Sequence, residues 1–133
     1  MANLNDGQVS NLTPGSPLDG TWQSAVGSNL VLKVEDAVLT GTFCSSQDPT
    51  KVDVYGVVAG ASTNPKFIPV AFSASWPASG TFVPSVTSYT GQYTKNKHGQ
   101  EKIEVIFLLA NQKESTVLWE STHIASDVFV RQE

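Results

Sequence analysis

From Leu18 onward, apolar and polar positions alternate every second residue in short runs, and no stretch sustains a helical period of 3.6. Successive side chains on a strand face opposite sides, so this alternation predicts β-structure. In one run Ile68, Val70, Phe72, Ala74 and Trp76 share a face, and in another Ile103, Val105, Phe107 and Leu109 do. Eight such runs are read, over Leu18–Ser24, Asn29–Glu35, Val38–Ser45, Val52–Ala59, Phe67–Trp76, Val86–Thr94, Lys102–Ala110 and Val117–Val130. Between them stand ordinary turn residues: Ala25-Val26-Gly27, Glu35-Asp36, Asp48-Pro49, Asn64-Pro65, Pro77-Ala78-Ser79-Gly80, His98-Gly99 and Asn111-Gln112. Short hairpins in series predict an all-β fold, an eight-stranded antiparallel up-and-down β-barrel whose interior holds side chains or one small ligand. Residues 1–17, rich in Asn, Gly, Ser and Pro and without apolar period, are expected as a disordered N-terminal tail, 18–131 as the barrel domain and 132–133 as its C-terminal end.

The other face of the seventh run carries Ile106 and Leu108, and the eighth adds Ile124 and Val128. An apolar exterior on neighbouring strands predicts burial against a second subunit, and so a homo-oligomer. A length of 133 residues suits one domain with its own core. The net charge of −4, with eight Lys and Arg in all, speaks against nucleic acid as a partner, and the short basic stretch Lys95-Asn96-Lys97-His98 reads as a solvated hairpin tip. The lone Cys44 leaves no disulfide framework within the chain and no multi-cysteine metal site. No run approaches the roughly 20 apolar residues of a membrane-spanning helix, and the N-terminus lacks the pattern of a signal peptide. Asn11-Leu12-Thr13 matches the N-glycosylation acceptor pattern, with Pro14 directly after it.

Candidate chemistry gathers near the strand ends. Trp22 reads as a plug at the barrel's bottom. Trp76 and Trp119, each at a strand–loop junction, belong at its mouth, where aromatics serve either as rim packing or as a ligand cage. Ser24, Ser28, Ser45, Ser85 and Thr87 supply small hydroxyls from separate segments. Asp127 is a lone acid in a largely apolar strand, and both a structural carboxylate and a ligand acceptor stay open for it. No Ser, His and acid form a nucleophile motif and no metal-ligand spacing occurs, so an enzyme is the least favoured class. His98 falls at a hairpin tip and His123 reads as an exposed or interface residue.

Gly20-Thr21-Trp22, Gly27-Ser28-Asn29, Leu39-Thr40-Gly41-Thr42-Phe43, Trp76, Tyr89-Thr90-Gly91-Gln92, Phe107-Leu108-Leu109 and Trp119-Glu120-Ser121-Thr122 followed by Asp127 stand in a fixed order across the eight runs. In that order and spacing the chain resembles the avidin and streptavidin family over roughly Leu18 to Arg131. The resemblance implies a secreted, non-catalytic, homotetrameric barrel that binds biotin and needs no metal. It places Ser24, Ser28 and Phe43 where the family has donors to the ureido oxygen, and Ser45 and Asp127 where it has acceptors of the ureido N–H groups. Thr87 matches a hydroxyl that meets the thioether sulfur, and Ser85 one that meets the valerate carboxylate. Trp76, Tyr89, Phe107 and Leu109 match the apolar wall, and Trp119 a tryptophan lent to the neighbouring subunit's pocket. The loop Ser46–Lys51 falls where the family has a lid.

Three positions depart from that pattern. The family usually has Asn where Ser24 stands, Tyr where Phe43 stands and Trp where Phe107 stands. Phe43 has no hydrogen to donate, Ser24 keeps a donor on a shorter stem, and Phe107 offers less wall. Together they predict a weaker binder than the strongest members by several powers of ten. They also leave two alternatives, a barrel whose pocket has drifted to another small ligand and a structural or interaction barrel.

Overall fold

The computed structural model describes residues 15–46, 50–59, 65–80, 83–112 and 122–132. Among them are eight strands and no helix: β1 (Gly20–Ser24), β2 (Asn29–Glu35), β3 (Val38–Cys44), β4 (Lys51–Val58), β5 (Phe67–Trp76), β6 (Ser85–Lys95), β7 (Glu101–Asn111) and β8 (Thr122–Gln132). Each strand pairs antiparallel with the next, and β1 pairs with β8, so the sheet closes into a barrel in chain order. The β2 and β5 runs read from the sequence coincide with the strands. β1 starts later than Leu18 because Ser16–Asp19 forms a turn, with Asp19 N–H bonded to Ser16 O at 3.0 Å. β8 starts at Thr122, and the expected start at Val117 lies outside the described residues.

Turn chemistry fixes the register. Ala25-Val26-Gly27 links β1 to β2, with Gly27 at φ 94° and its N–H bonded to Ser24 O at 3.0 Å. A left-handed residue closing a three-residue loop preserves the twist of the flanking strands. Asp36 and Ala37, at φ 52° and 66°, form the two-residue link between the paired Glu35 and Val38. Two positive φ values match the right-handed twist of a tight hairpin, and Ala37 adopts one despite its Cβ. Midway along β6 the sheet coils so tightly that a Cβ on Gly91 would stand 1.8 Å from Glu104 O.

The inward positions of all eight strands make one core. The chain's alternation placed it correctly: Ile68, Val70, Phe72 and Ala74 of β5 and Ile103 and Val105 of β7 are buried, with Trp76 and Phe107 packed against them. The end opposite the long β3–β4 and β7–β8 connections is shut by a polar-capped plug. Trp22 is fully buried there, its Nε1–H bonded to Leu18 O at 2.9 Å and its ring edge-on to Tyr93. Arg131 lies 4.4 Å over the Trp22 ring. Its guanidinium donates to both Glu101 oxygens, at 2.8 and 3.0 Å, to Asp19 O at 2.8 Å and to Pro17 O. Tyr93 adds its O–H to Glu101 Oε1 at 2.7 Å. These bonds tie the segment before β1 to β7 and β8. The Arg131 hydrogen bonds hold the Glu101 carboxyl below its ordinary range.

The outer face is apolar where the sequence reading put it. Leu108 of β7 stands directly opposite Ile124 of β8, and both are exposed together with Ile106 and Val128. A second exposed group, Val38, Tyr55 and Val57, lies on β3 and β4.

Candidate functional site

The open end collects the candidate residues from opposite walls of the barrel. The tight β1–β2 turn sets Ser24 and Ser28 side by side, both buried, so that Ser28 N–H donates to Ser24 Oγ at 3.1 Å. Ser46 N–H in turn donates to Ser28 Oγ at 3.2 Å. Each hydroxyl oxygen therefore accepts a backbone hydrogen and keeps its own proton to give. Two adjacent buried donors suit a ligand carbonyl oxygen.

Phe43 stands at the centre of an aromatic cluster. Its ring meets Trp76 edge-on at 5.3 Å, stacks on Tyr89 at 5.8 Å and meets Phe129 edge-on at 6.0 Å. Tyr89 also stacks on Phe72 at 4.8 Å and tilts against Phe107 at 5.4 Å. The pairing explains why these rings converge: Tyr89 lies opposite Phe72 on one side and Phe107 on the other. Thr87 lies opposite Leu109, and its Oγ1 accepts Trp76 Nε1–H at 3.1 Å. Ser85, half-buried, stands opposite Trp76 at the rim.

Asp127 is half-buried on the same side of β8 as Phe129, and its Oδ1 accepts the N–H of Val128 at 2.8 Å. That bond leaves carboxylate lone pairs for a ligand N–H. Burial pushes the Tyr89 phenol up to about 12; a hydrogen bond from Thr87 opposes this, and the negative charge of Asp127 adds to it. Ser45, half-buried, follows directly on β3. His123 lies opposite Leu109 at the open end, in register with Asp127 and Phe129 and not with the outer Ile124 and Val128. Among the described residues no three His, Cys, Asp or Glu gather as metal ligands. Trp119 and the lid residues Gln47, Asp48 and Pro49 lie outside the described residues.

A closed barrel of eight sequential strands with a polar and aromatic mouth is matched by a family model, that of the avidin family, over residues 14–132. The chain belongs to the avidin family. Among solved structures it is similar to xenavidin, at 25% identity and a TM-score of 0.72, over 90% of this chain and 100% of that one. It also shares its fold with a biotin-binding protein from chicken, at 22% identity and a TM-score of 0.76, again over 90% of this chain and 100% of the other. No curated protein matches the chain.

Against the avidin pattern, two inward rings and one amide stand in the mouth region beyond the expected set. Phe72 and Phe129 complete the aromatic cluster, and Ser46 N–H orients Ser28. Phe72 was visible as an inward residue of its run, and Phe129 follows from the alternation that puts Val128 outside. The Ser46 amide left no signal, because a backbone group carries none in the sequence.

Proposed function

We propose that this avidin-family barrel binds biotin at its open end without transforming it. The observation that carries the reading is the Ser24–Ser28 pair, two buried hydroxyls whose oxygens are occupied by backbone N–H groups and whose protons are left for a carbonyl oxygen. A urea enclosed by aromatic walls needs its oxygen and both N–H groups paired, since each unpaired buried group costs about 1–3 kcal/mol. Ser24 and Ser28 serve the oxygen, and Ser45 and Asp127 take the two N–H groups. Trp76, Tyr89, Phe107 and Leu109 wall the ring and chain, and Ser85 at the rim meets the carboxylate. The similarity to solved relatives supports this reading, one of them being a biotin-binding protein from chicken.

The exposed apolar face of β7 and β8 supports assembly of four copies, with Ile106, Leu108, Ile124 and Val128 covered and Trp119 reaching a neighbour's pocket. Secretion is part of the same proposal. A second reading is favoured by Phe43: it offers no donor and its ring packs on both Trp76 and Tyr89, as suits a pocket turned to another small heterocycle. Isothermal titration with biotin, alongside light scattering for mass, decides between them. One saturable site per subunit of a tetramer supports the first reading, and absence of heat at high protein concentration supports the second.

A further inference from the structure

His123 has no part in the reading above, yet it stands on the inner face of β8. It lies opposite Leu109, as Ala125 lies opposite Phe107 and Asp127 opposite Val105, while Ile124, Ser126 and Val128 share the outer face. Exposure falls along that inner face, from exposed His123 and Ala125 through half-buried Asp127 to buried Phe129. This face of β8 therefore lines the mouth from rim to floor, with His123 at the rim. Ser85 stands at the same rim two strands away, since Thr87, two residues further along β6, is opposite Leu109 and Leu109 is opposite His123. Two strand spacings of about 4.8 Å and one two-residue step of about 6.6 Å put the two Cα atoms about 12 Å apart. Both side chains lean into the mouth, which brings the imidazole to about 7 Å from an anion held at Ser85. Among the described residues, the other titratable groups facing the mouth are Asp127 and Tyr89. The inward residues of β7 here, Phe107, Leu109 and Asn111, carry no charge, nor do Ser24 and Ser28 beside the β1–β2 turn. The Tyr89 phenol, pushed up to about 12 by burial, stays neutral. Asp127 is four residues along the strand, about 13 Å away, beyond the screening length of roughly 8 Å at physiological salt.

We propose that His123, as its imidazolium, attracts the ligand's carboxylate at the rim, so that the pocket comes to prefer the free acid over its amide as pH falls. The inference rests on the biotin reading and adds a pH-dependent specificity that the neutral hydroxyl of Ser85 does not supply. Histidine is the side chain whose charge ordinarily changes between about pH 5 and 8, whereas an ordinary carboxylic acid is already ionised there. Two unit charges about 7 Å apart in water attract strongly enough to change affinity about 3-fold. The test is a competition titration of biotin against biotinamide, whose neutral amide replaces the carboxylate. In wild type the affinity ratio, biotin over biotinamide, should rise about 3-fold from about pH 8 to about pH 5.5, and the rise should shrink in roughly 1 M salt. In His123→Gln the ratio should stay at the wild-type value of the higher pH. A wild-type ratio that ignores pH, or an equal rise in the variant, overturns the inference and leaves biotin binding in place. Failure of the wild type to bind either ligand overturns the biotin reading and this inference with it. Proton NMR of the two histidines gives a second readout that needs no variant. By reciprocity, saturating biotin should raise the titration midpoint of His123 by about 0.4 pH unit, leave His98 at the far hairpin tip unmoved, and biotinamide should shift neither. Equal shifts with both ligands refute the assignment.

Discussion

Replacing Phe43 by Tyr tests the site at its most informative position. Phe43 is 5% exposed and bounded by Trp76, Tyr89 and Phe129, so the added hydroxyl enters an aromatic enclosure and not solvent. Without ligand that group meets rings that cannot accept its hydrogen, and an unpaired buried hydroxyl costs about 1–3 kcal/mol. With biotin bound it joins Ser24 and Ser28 on the ureido oxygen, a neutral hydrogen bond of about 1–1.5 kcal/mol that also relieves the unpaired state. The two effects have opposite signs and are measured separately. Differential scanning calorimetry of the free protein should show a midpoint lower by about 3–10 °C, taking about 3 °C per kcal/mol for a domain of this size. Titration should show biotin bound about 10-fold more tightly, and the gap between free and saturated midpoints should widen. A folded Phe43→Tyr protein with unchanged or weaker biotin affinity would refute the placement of residue 43 over the ureido oxygen.

At the closed end, Arg131→Met strands the half-buried Glu101 carboxylate and removes the stack on Trp22. An expected loss of about 2–3 kcal/mol lowers the melting midpoint by about 6–10 °C, while the biotin dissociation constant stays unchanged. Ala37→Gly removes the cost of a Cβ at φ 66° and should stabilise by about 1 kcal/mol in urea unfolding, with the m-value unchanged. Alkaline stability follows from two phenols, Tyr89 and Tyr93, both raised from 10.0 to about 12, in each case first by burial. A raised folded-state pKa contributes stability that is whole below pH 10 and is lost as pH rises toward 12. Each phenol removes about 1.4 kcal/mol per pH unit in that window. Tyr93→Phe should halve the slope of stability against pH there, and a slope equal to wild type would count against burial of that phenol.

The architecture was legible because a barrel of sequential hairpins is written locally. Period-two alternation assigns each side chain to the inside or outside, and turn residues such as Gly27 and Glu35-Asp36 mark where the chain reverses, so strand order follows chain order. Inward Ile103, Val105 and Phe107 and outward Ile106 and Leu108 could be told apart for the same reason. The site was legible only as residue types. Sequence showed Ser24, Ser28, Ser45, Ser85 and Thr87 near strand ends and Asp127 inside the last strand, but a hydroxyl in a sequence has no direction.

Closure of β1 on β8 is what brings Ser24 opposite Phe129, beside Asp127, across more than a hundred residues of chain. The fold also decides which protons remain for a ligand. Ser28 N–H and Ser46 N–H occupy the serine oxygens, and Trp76 engages the oxygen of Thr87. The plug at the closed end is likewise a tertiary product, since Arg131 reaches Pro17, Asp19 and Glu101 only once the barrel has closed. The sequence by itself determined the strands, their order and their inner and outer faces, because alternation and turn conformation are local properties. Only the tertiary structure decided which polar atoms are already satisfied and which are left to bind, because hydrogen-bond pairing depends on neighbours that the chain supplies from afar.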